Sequence, residues 1–240
     1  VVLALPKERG YRSPKRLLVS PETFSREGWI HTAQNSNESQ SLSLKIRGSM
    51  AVRRDKLLYM VRLLSSLRLA PSPQGPVFGL ISQMVKGDWT DILLPILDRL
   101  LAEDVRLIVL GNALDKNGSI LRFFACRYVS KFSYLQECDG SWVGRVLRGS
   151  HVLLAPTSIK PGDSFLTQAL GCGVIPVAHA QGLRGLVQEY EEISNTGYGF
   201  IFYASTPNAF LDSVRQSIDT FHQKELWESI VSRATLANSS

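Results

Sequence analysis

At 240 residues with 44% hydrophobic content, the chain is long enough for one large domain or two small ones with a real core, which excludes disorder throughout. Its net charge of +6 is unevenly placed: residues 1–70 hold 13 Lys or Arg against 5 Asp or Glu, and the remainder hold 14 against 16. No run approaches the ~18 consecutive apolar residues of a spanning helix, so no membrane partner is expected.

Residues 1–50 mix Pro, Ser, Asn and Gln with scattered apolar residues and no sustained period, which predicts a basic, irregular N-terminal arm. The cluster "KERGYRSPKR" could meet nucleic acid or another anion, but it lacks a groove-reading motif or a row of stacking aromatics. A solvated basic segment is expected, with nucleic acid not a partner. From Arg53, "RRDKLLYMVRLLSSLRL" sets Leu57, Met60, Val61 and Leu64 at helical spacing until Pro71, Pro73 and Pro76 stop it. Residues 51–76 are therefore expected as a helix with a Pro-rich linker, and a domain over 77–240.

Within that domain, strand-like runs "VFGLIS", "VRLIVLG", "KFSYLQ", "VLLAP", "VIPVA" and "GFIFY" alternate with helical ones. The helical runs are "TDILLPILDRLLAED", "SILRFFACRY", "SWVGRVLRG", "FLTQALGCG", "GLRGLVQEY" and two terminal helices. Strands apolar along most of their length, separated by helices, predict an α/β domain with a doubly wound, Rossmann-like parallel sheet. The chain opens on Val without a signal-peptide pattern. Of three cysteines, Cys126 and Cys172 read as buried thiols and Cys138 completes an odd count without CxxC spacing, so a cytoplasmic or plastid-like reducing compartment fits.

In such sheets ligands lie beyond the carboxyl ends of the strands. After "VFGLIS", Lys86 and Gly87 suit a diphosphate, since the ammonium supplies charge and the glycine lets the backbone approach, although on spacing alone a plain turn lysine is the commoner reading of such a pair. Thr90 or Asp91 could cap the next helix. After "VLLAP", the turn with Lys160, Pro161 and Gly162 leads to Phe165, Leu166, Thr167 and Gln168, where helix amides would attract an anion unless Asp163 or Ser164 occupies them as a cap. His179, Gln181 and Gly182 follow the next strand; His179 reads as a donor to a sugar or phosphate oxygen, a proton carrier, or polar lining. Gly111 supplies the turn after "VRLIVLG". No HExxH, CxxC pair or acid cluster suggests a metal, no GxSxG suggests a hydrolase, and no cofactor is expected.

In order and spacing over residues 53–236, these segments resemble the C-terminal, donor-binding half of glycogen synthases and starch synthases, retaining glucosyltransferases of the GT-B fold. "RRDKLLYMVRLLSSLRL" is similar to the family's Asn-Lys...Leu-Gln...Leu-Gly-Leu helix, and "VFGLISQMVKGDWTDILLPIL" to its Ser-Arg-Leu...Gln-Lys-Gly-x-Asp segment. "FLTQALGCGVIPVAHAQGL" resembles Gly-Leu-Thr-Gln...Tyr-Gly-Thr-x-Pro-Val-Val...Thr-Gly-Gly-Leu, and "NTGYGFIFYASTPNAFLDSVRQSI" the late Gly-x-Gly-Phe strand with its helix. The resemblance implies one Rossmann-like half of a GT-B fold and an ADP-glucose or UDP-glucose site. It further implies an α-glucan or synthase partner, and an upstream N-terminal half if the chain is a fragment, to which its non-Met start points.

The departures fall on chemical positions. Gln83 stands at the family's arginine, Asp88 at the position counted to its lysine with Lys86 two residues away, Lys160 at its glutamate, and Phe165 at its nucleotide-facing glycine. Neither Gln83 nor Lys160 is expected to serve catalysis. Removing preorganised charge costs ~10²-fold or more per group, so the expectation is a noncatalytic donor-half domain that binds or scaffolds in α-glucan metabolism. Two readings stand against it: an active transferase in which Lys86, Lys160 and the Leu166 to Gln168 helix start rebuild the diphosphate site, and a module binding anions through the basic arm.

Overall fold

Six short runs of Val, Ile, Leu and Phe become strands: β1 (Val77–Ile81), β2 (Arg106–Leu110), β3 (Phe132–Leu135), β4 (Val152–Ala155), β5 (Ile175–His179) and β6 (Phe200–Phe202). They belong to a computed structural model that describes residues 55–238, apart from 72, 73, 86, 114, 137–139, 161–163, 182 and 184. The arm over 1–50, Cys138, Lys86, Pro161, Gly162, Asp163 and Gly182 thus lie outside the described residues. The sheet order is β3-β2-β1-β4-β5-β6 and every neighbouring pair is parallel. β1, β2, β4 and β5 are buried at every residue, as a sheet covered on both faces requires.

The covering elements are a helix over 55–66 (α1), α2 (Thr90–Leu93), α3 (Leu97–Ala102), α4 (Asp115–Arg127), α5 (Gly140–Gly149), α6 (Phe165–Gly171), α7 (Pro207–His222) and α8 (Lys224–Ala237). α5 touches α6 and α6 touches α8, whereas α7 meets α2 and packs on β5 and β6. The run expected as one helix over "TDILLPILDRLLAED" is broken into α2, a 3-10 turn Leu94–Ile96 and α3, because Pro95 has no amide to continue the ladder.

Two further expectations need correction. "GLRGLVQEY" is not helical: Leu183, Val187 and Tyr190 are buried, but Gly185 sits at φ +75°. Residues 188–190 run parallel to the start of β6, with the Tyr190 amide donating to the Gly199 carbonyl at 2.7 Å and the Tyr198 and Gly199 amides to the Gln188 carbonyl at 2.9 and 3.1 Å. Cys126 is exposed, because the buried stripe of α4 runs through Leu121 and Phe124; Cys172 is half-buried. Leu63 and Leu64 of α1 and Leu69 beyond it join the core, and buried Arg106 clamps the linker, donating from Nε to the Ala70 carbonyl at 2.6 Å and from Nη2 to that of Pro71 at 3.4 Å.

At the amino-terminal ends of the strands, His151 is locked into the sheet. Its amide donates to the Val77 carbonyl at 2.7 Å, its Nδ1 accepts from the Val77 amide at 3.0 Å, and Phe221 lies 4.8 Å from its ring. Burial, seconded by the nearby Lys56 ammonium, pushes His151 down to about 3. Lys56 Nζ donates to the Cys172 carbonyl at 3.2 Å, and burial lowers its pKa to about 8. Burial raises the Cys172 thiol, against the pull of Lys56 and Arg148.

Candidate functional site

Strand order reverses between β1 and β4, and the crevice at their carboxyl ends is where ligands of such sheets bind. Two loops meet there. β1 runs into a 3-10 turn, Ser82–Met84, and β4 into residues 156–160; Val85 and Ile159 form an antiparallel bridge, and the Lys160 amide donates to the Met84 carbonyl at 2.9 Å. This backbone stitch brings exposed Gln83 and Lys160 onto adjoining loops. Gly87, exposed at φ +66°, has nothing within 4 Å of where a Cβ would stand, so its freedom serves the turn.

Asp88 is committed elsewhere. Its Oδ1 accepts from the Thr90 amide at 3.0 Å and from the buried Thr90 hydroxyl; the Asn117 amide of α4 donates to that hydroxyl and, at 3.4 Å, to Asp88 Oδ2. Neither Thr90 nor Asp91 caps α2: the Asp88 side chain does, as an Asx turn that also ties the β1 loop to α4. On the next loop Gly111 takes φ +116° and lies so close to Ser82 that a Cβ would strike the serine hydroxyl. Its amide donates to the Leu135 carbonyl at 2.9 Å.

At the start of α6, Ser164 makes no side-chain cap; its hydroxyl accepts from Gln168 Nε2 at 2.9 Å. Leu166 is a core residue, Phe165 is half-buried against the core, and Thr167 and Gln168 face solvent. His179, buried at the tip of β5, accepts at Nδ1 from the Gln181 amide at 3.1 Å, which leaves Nε2–H to donate to Ser205 Oγ at 2.9 Å; Phe202 stands edge-on at 5.2 Å. Its polar capacity is satisfied within the fold. Beyond β6, exposed Tyr203 donates to Glu189, and that bond with the carboxylate's charge raises the phenol's pKa.

The structure thus gathers Gln83, Gly87, Gly111, Lys160 and His179 at one sheet edge, while Leu166 goes inward. Sequence reasoning missed Ser205, Asn117 and the Val85 to Ile159 bridge; only the Asp88-Trp89-Thr90 spacing carried a local signal, that of an Asx turn. Among the described residues no group of three or more His, Cys, Asp or Glu could hold a metal, and no helix is long and apolar enough to cross a membrane.

No protein-family model matches the chain. Glycogen synthase of Desulforamulus reducens is 32% identical over 169 residues, which are 70% of this chain and 35% of that protein. Glycogen synthase of Chlorobium phaeovibrioides is 31% identical over 173 residues, 72% of the chain and 35% of the relative. The chain belongs to the glycogen synthase family. It spans about a third of the length of these curated relatives. In fold, the synthase-like chain is similar to the catalytic domain of starch synthase IV from Arabidopsis thaliana, solved with ADP and acarbose: TM-score 0.67, 17% identity, covering 75% of this chain and 38% of that one. Anabaena HepE in complex with UDP gives a TM-score of 0.56 at 17% identity, covering 75% and 48%. The six-stranded parallel sheet with its helices fits the C-terminal half of a GT-B fold.

Proposed function

We propose that this synthase-like domain binds an α-glucan or a synthase partner in α-glucan metabolism and does not itself transfer glucose. The observation that carries the reading is Asp88. At the position counted to the family's diphosphate lysine stands a carboxylate held by Thr90 and Asn117, with neutral Gln83 at the arginine position earlier on the same loop. Transfer from a sugar nucleotide builds negative charge on the leaving diphosphate, and a fixed carboxylate opposes it where a cation would lower the barrier. Lys160 at the glutamate position reverses a second charge. The ADP and acarbose of the Arabidopsis relative, and the UDP of HepE, support α-glucan and nucleotide-sugar chemistry as the ligand classes to test.

One observation favours a second reading, an active retaining glucosyltransferase using ADP-glucose or UDP-glucose. Exposed Lys160 is stitched beside the β1 loop, where its ammonium could meet a diphosphate. Affinity electrophoresis in glycogen gels and a transfer assay onto maltooligosaccharides separate the two. The proposal expects retardation without nucleotide, or capture of a synthase, and no transfer. Glucose transfer above the blank that is lost in Lys160→Ala overturns it. So does failure to bind glycogen and synthase alike. A nucleotide sugar at 100 times its Kd would add about 2.7 kcal/mol, or roughly 5–10 °C in Tm, under the second reading.

A further inference from the structure

α1 is apolar on two sides. Its inner side gives Leu63 and Leu64 to the core, while on its outer side Leu57, Leu58 and Val61 stand 60%, 47% and 49% exposed. Residues 57 and 61 are one turn apart with 58 beside them, so the three make one outward patch. It stands open to solvent, and clustered exposed apolar residues mark a contact surface.

The patch has a cationic rim. Arg62 and Arg68 are exposed on and just after α1. On α5, which adjoins α1 through Arg148 over the Tyr59 ring at 5.4 Å, Arg145 lies over the Trp142 ring at 4.9 Å. Across α1, α5 and α6 the only acidic residue is Asp55, against Arg62, Arg145 and Arg148, while Lys56 is turned inward to the Cys172 carbonyl.

We propose that the outer face of α1, with these cations around it, docks the domain peripherally onto an anionic lipid bilayer. The reading goes beyond the proposed glucan function and does not depend on it. Charge decides the occupant. A second copy on the same face would bring the two arginine rims together, because a twofold interface repeats the same surface on both sides. The apolar residues also stand on the outer side of one helix, which suits a yielding headgroup layer better than the pocket-seated anchors of a protein contact. Apolar insertion with basic attraction supplies the two signals that stable peripheral anchoring requires. No part of the surface needs to span the bilayer.

The test is co-sedimentation of the full chain with vesicles of phosphatidylcholine, with and without phosphatidylglycerol. Binding is expected only with phosphatidylglycerol, weakening as salt rises. The triple variant Leu57→Ser/Leu58→Ser/Val61→Ser should lose it by about tenfold or more while its thermal melt is unchanged; Leu57→Ser alone serves if the triple variant folds poorly. Arg62→Ala/Arg145→Ala should bind more weakly with a shallower salt dependence. Residues 1–50 are basic by sequence and remain in every variant, so undiminished binding of the triple variant assigns the effect to that arm and overturns the proposal. No binding by the parent overturns it too. A dimer abolished by the triple variant would overturn it in favour of self-association, and equally tight binding of poly-glutamate would do so in favour of an acidic polypeptide.

Discussion

His151 gives the fold a specific sensitivity to mild acid. In the unfolded chain an imidazole titrates near its ordinary value of 6.5, whereas in the fold it stays neutral down to about 3, because burial and the Lys56 ammonium disfavour its charge. Below 6.5 the unfolded chain therefore binds a proton that the fold refuses. The stability this residue contributes is complete above pH 6.5, declines as pH falls through the interval and is lost near 3. At pH 5, 1.5 units below the unfolded value, the loss is about 2 kcal/mol at 1.36 kcal/mol per unit, and it corresponds to about 4–8 °C in Tm for a domain of this size. His151→Gln keeps an acceptor for the Val77 amide but cannot titrate. Calorimetric melts at pH 7.5 and 5 should show the parent losing about 2 kcal/mol more than the variant, with carboxylate effects common to both. Equal losses would refute the reasoning.

Arg106→Met should cost about 2–4 kcal/mol in urea unfolding, since it strips charged donors from the Ala70 and Val105 carbonyls, while the pair with half-exposed Asp104 counts for little. A loss below about 1 kcal/mol would contradict the clamp. Two glycines should separate sharply. Gly111→Ala, at φ +116° with Ser82 in the way, should cost about 2–4 kcal/mol, whereas Gly87→Ala, at φ +66° with open space, should cost about 1 kcal/mol. In the native chain, maleimide should modify exposed Cys126 well before Cys172, whose thiol is half-buried and raised in pKa; mass mapping that found the reverse order would count against the burial described here.

The strands were legible because burial on both faces leaves continuous apolar runs, and helices such as α5 and α7 because a single buried stripe leaves its period in the sequence. Residues 183–191 misled for a physical reason. Leu183 and Val187 have helical spacing, yet Gly185 in the left-handed region turns the chain and hydrogen bonds to residues 198 and 199 hold Gln188 to Tyr190 alongside the approach to β6. The candidate site was legible as a set of loops at strand tips. Its internal ties were not, since Val85 finds Ile159 and His179 finds Ser205 across long stretches of chain that carry no local periodicity. The Asp88 clasp illustrates both sides: the Asx turn to Thr90 is local and readable, the bond to Asn117 is neither.

The segment 188–190 also bears on how this domain keeps to itself. β6 is the last strand of the sheet, and without cover its outer main-chain groups would offer a template to any stray strand. By pairing with Gly199, the Gln188 to Tyr190 stretch blocks one end of that rim, so a foreign strand could not run its ladder back past the start of β6.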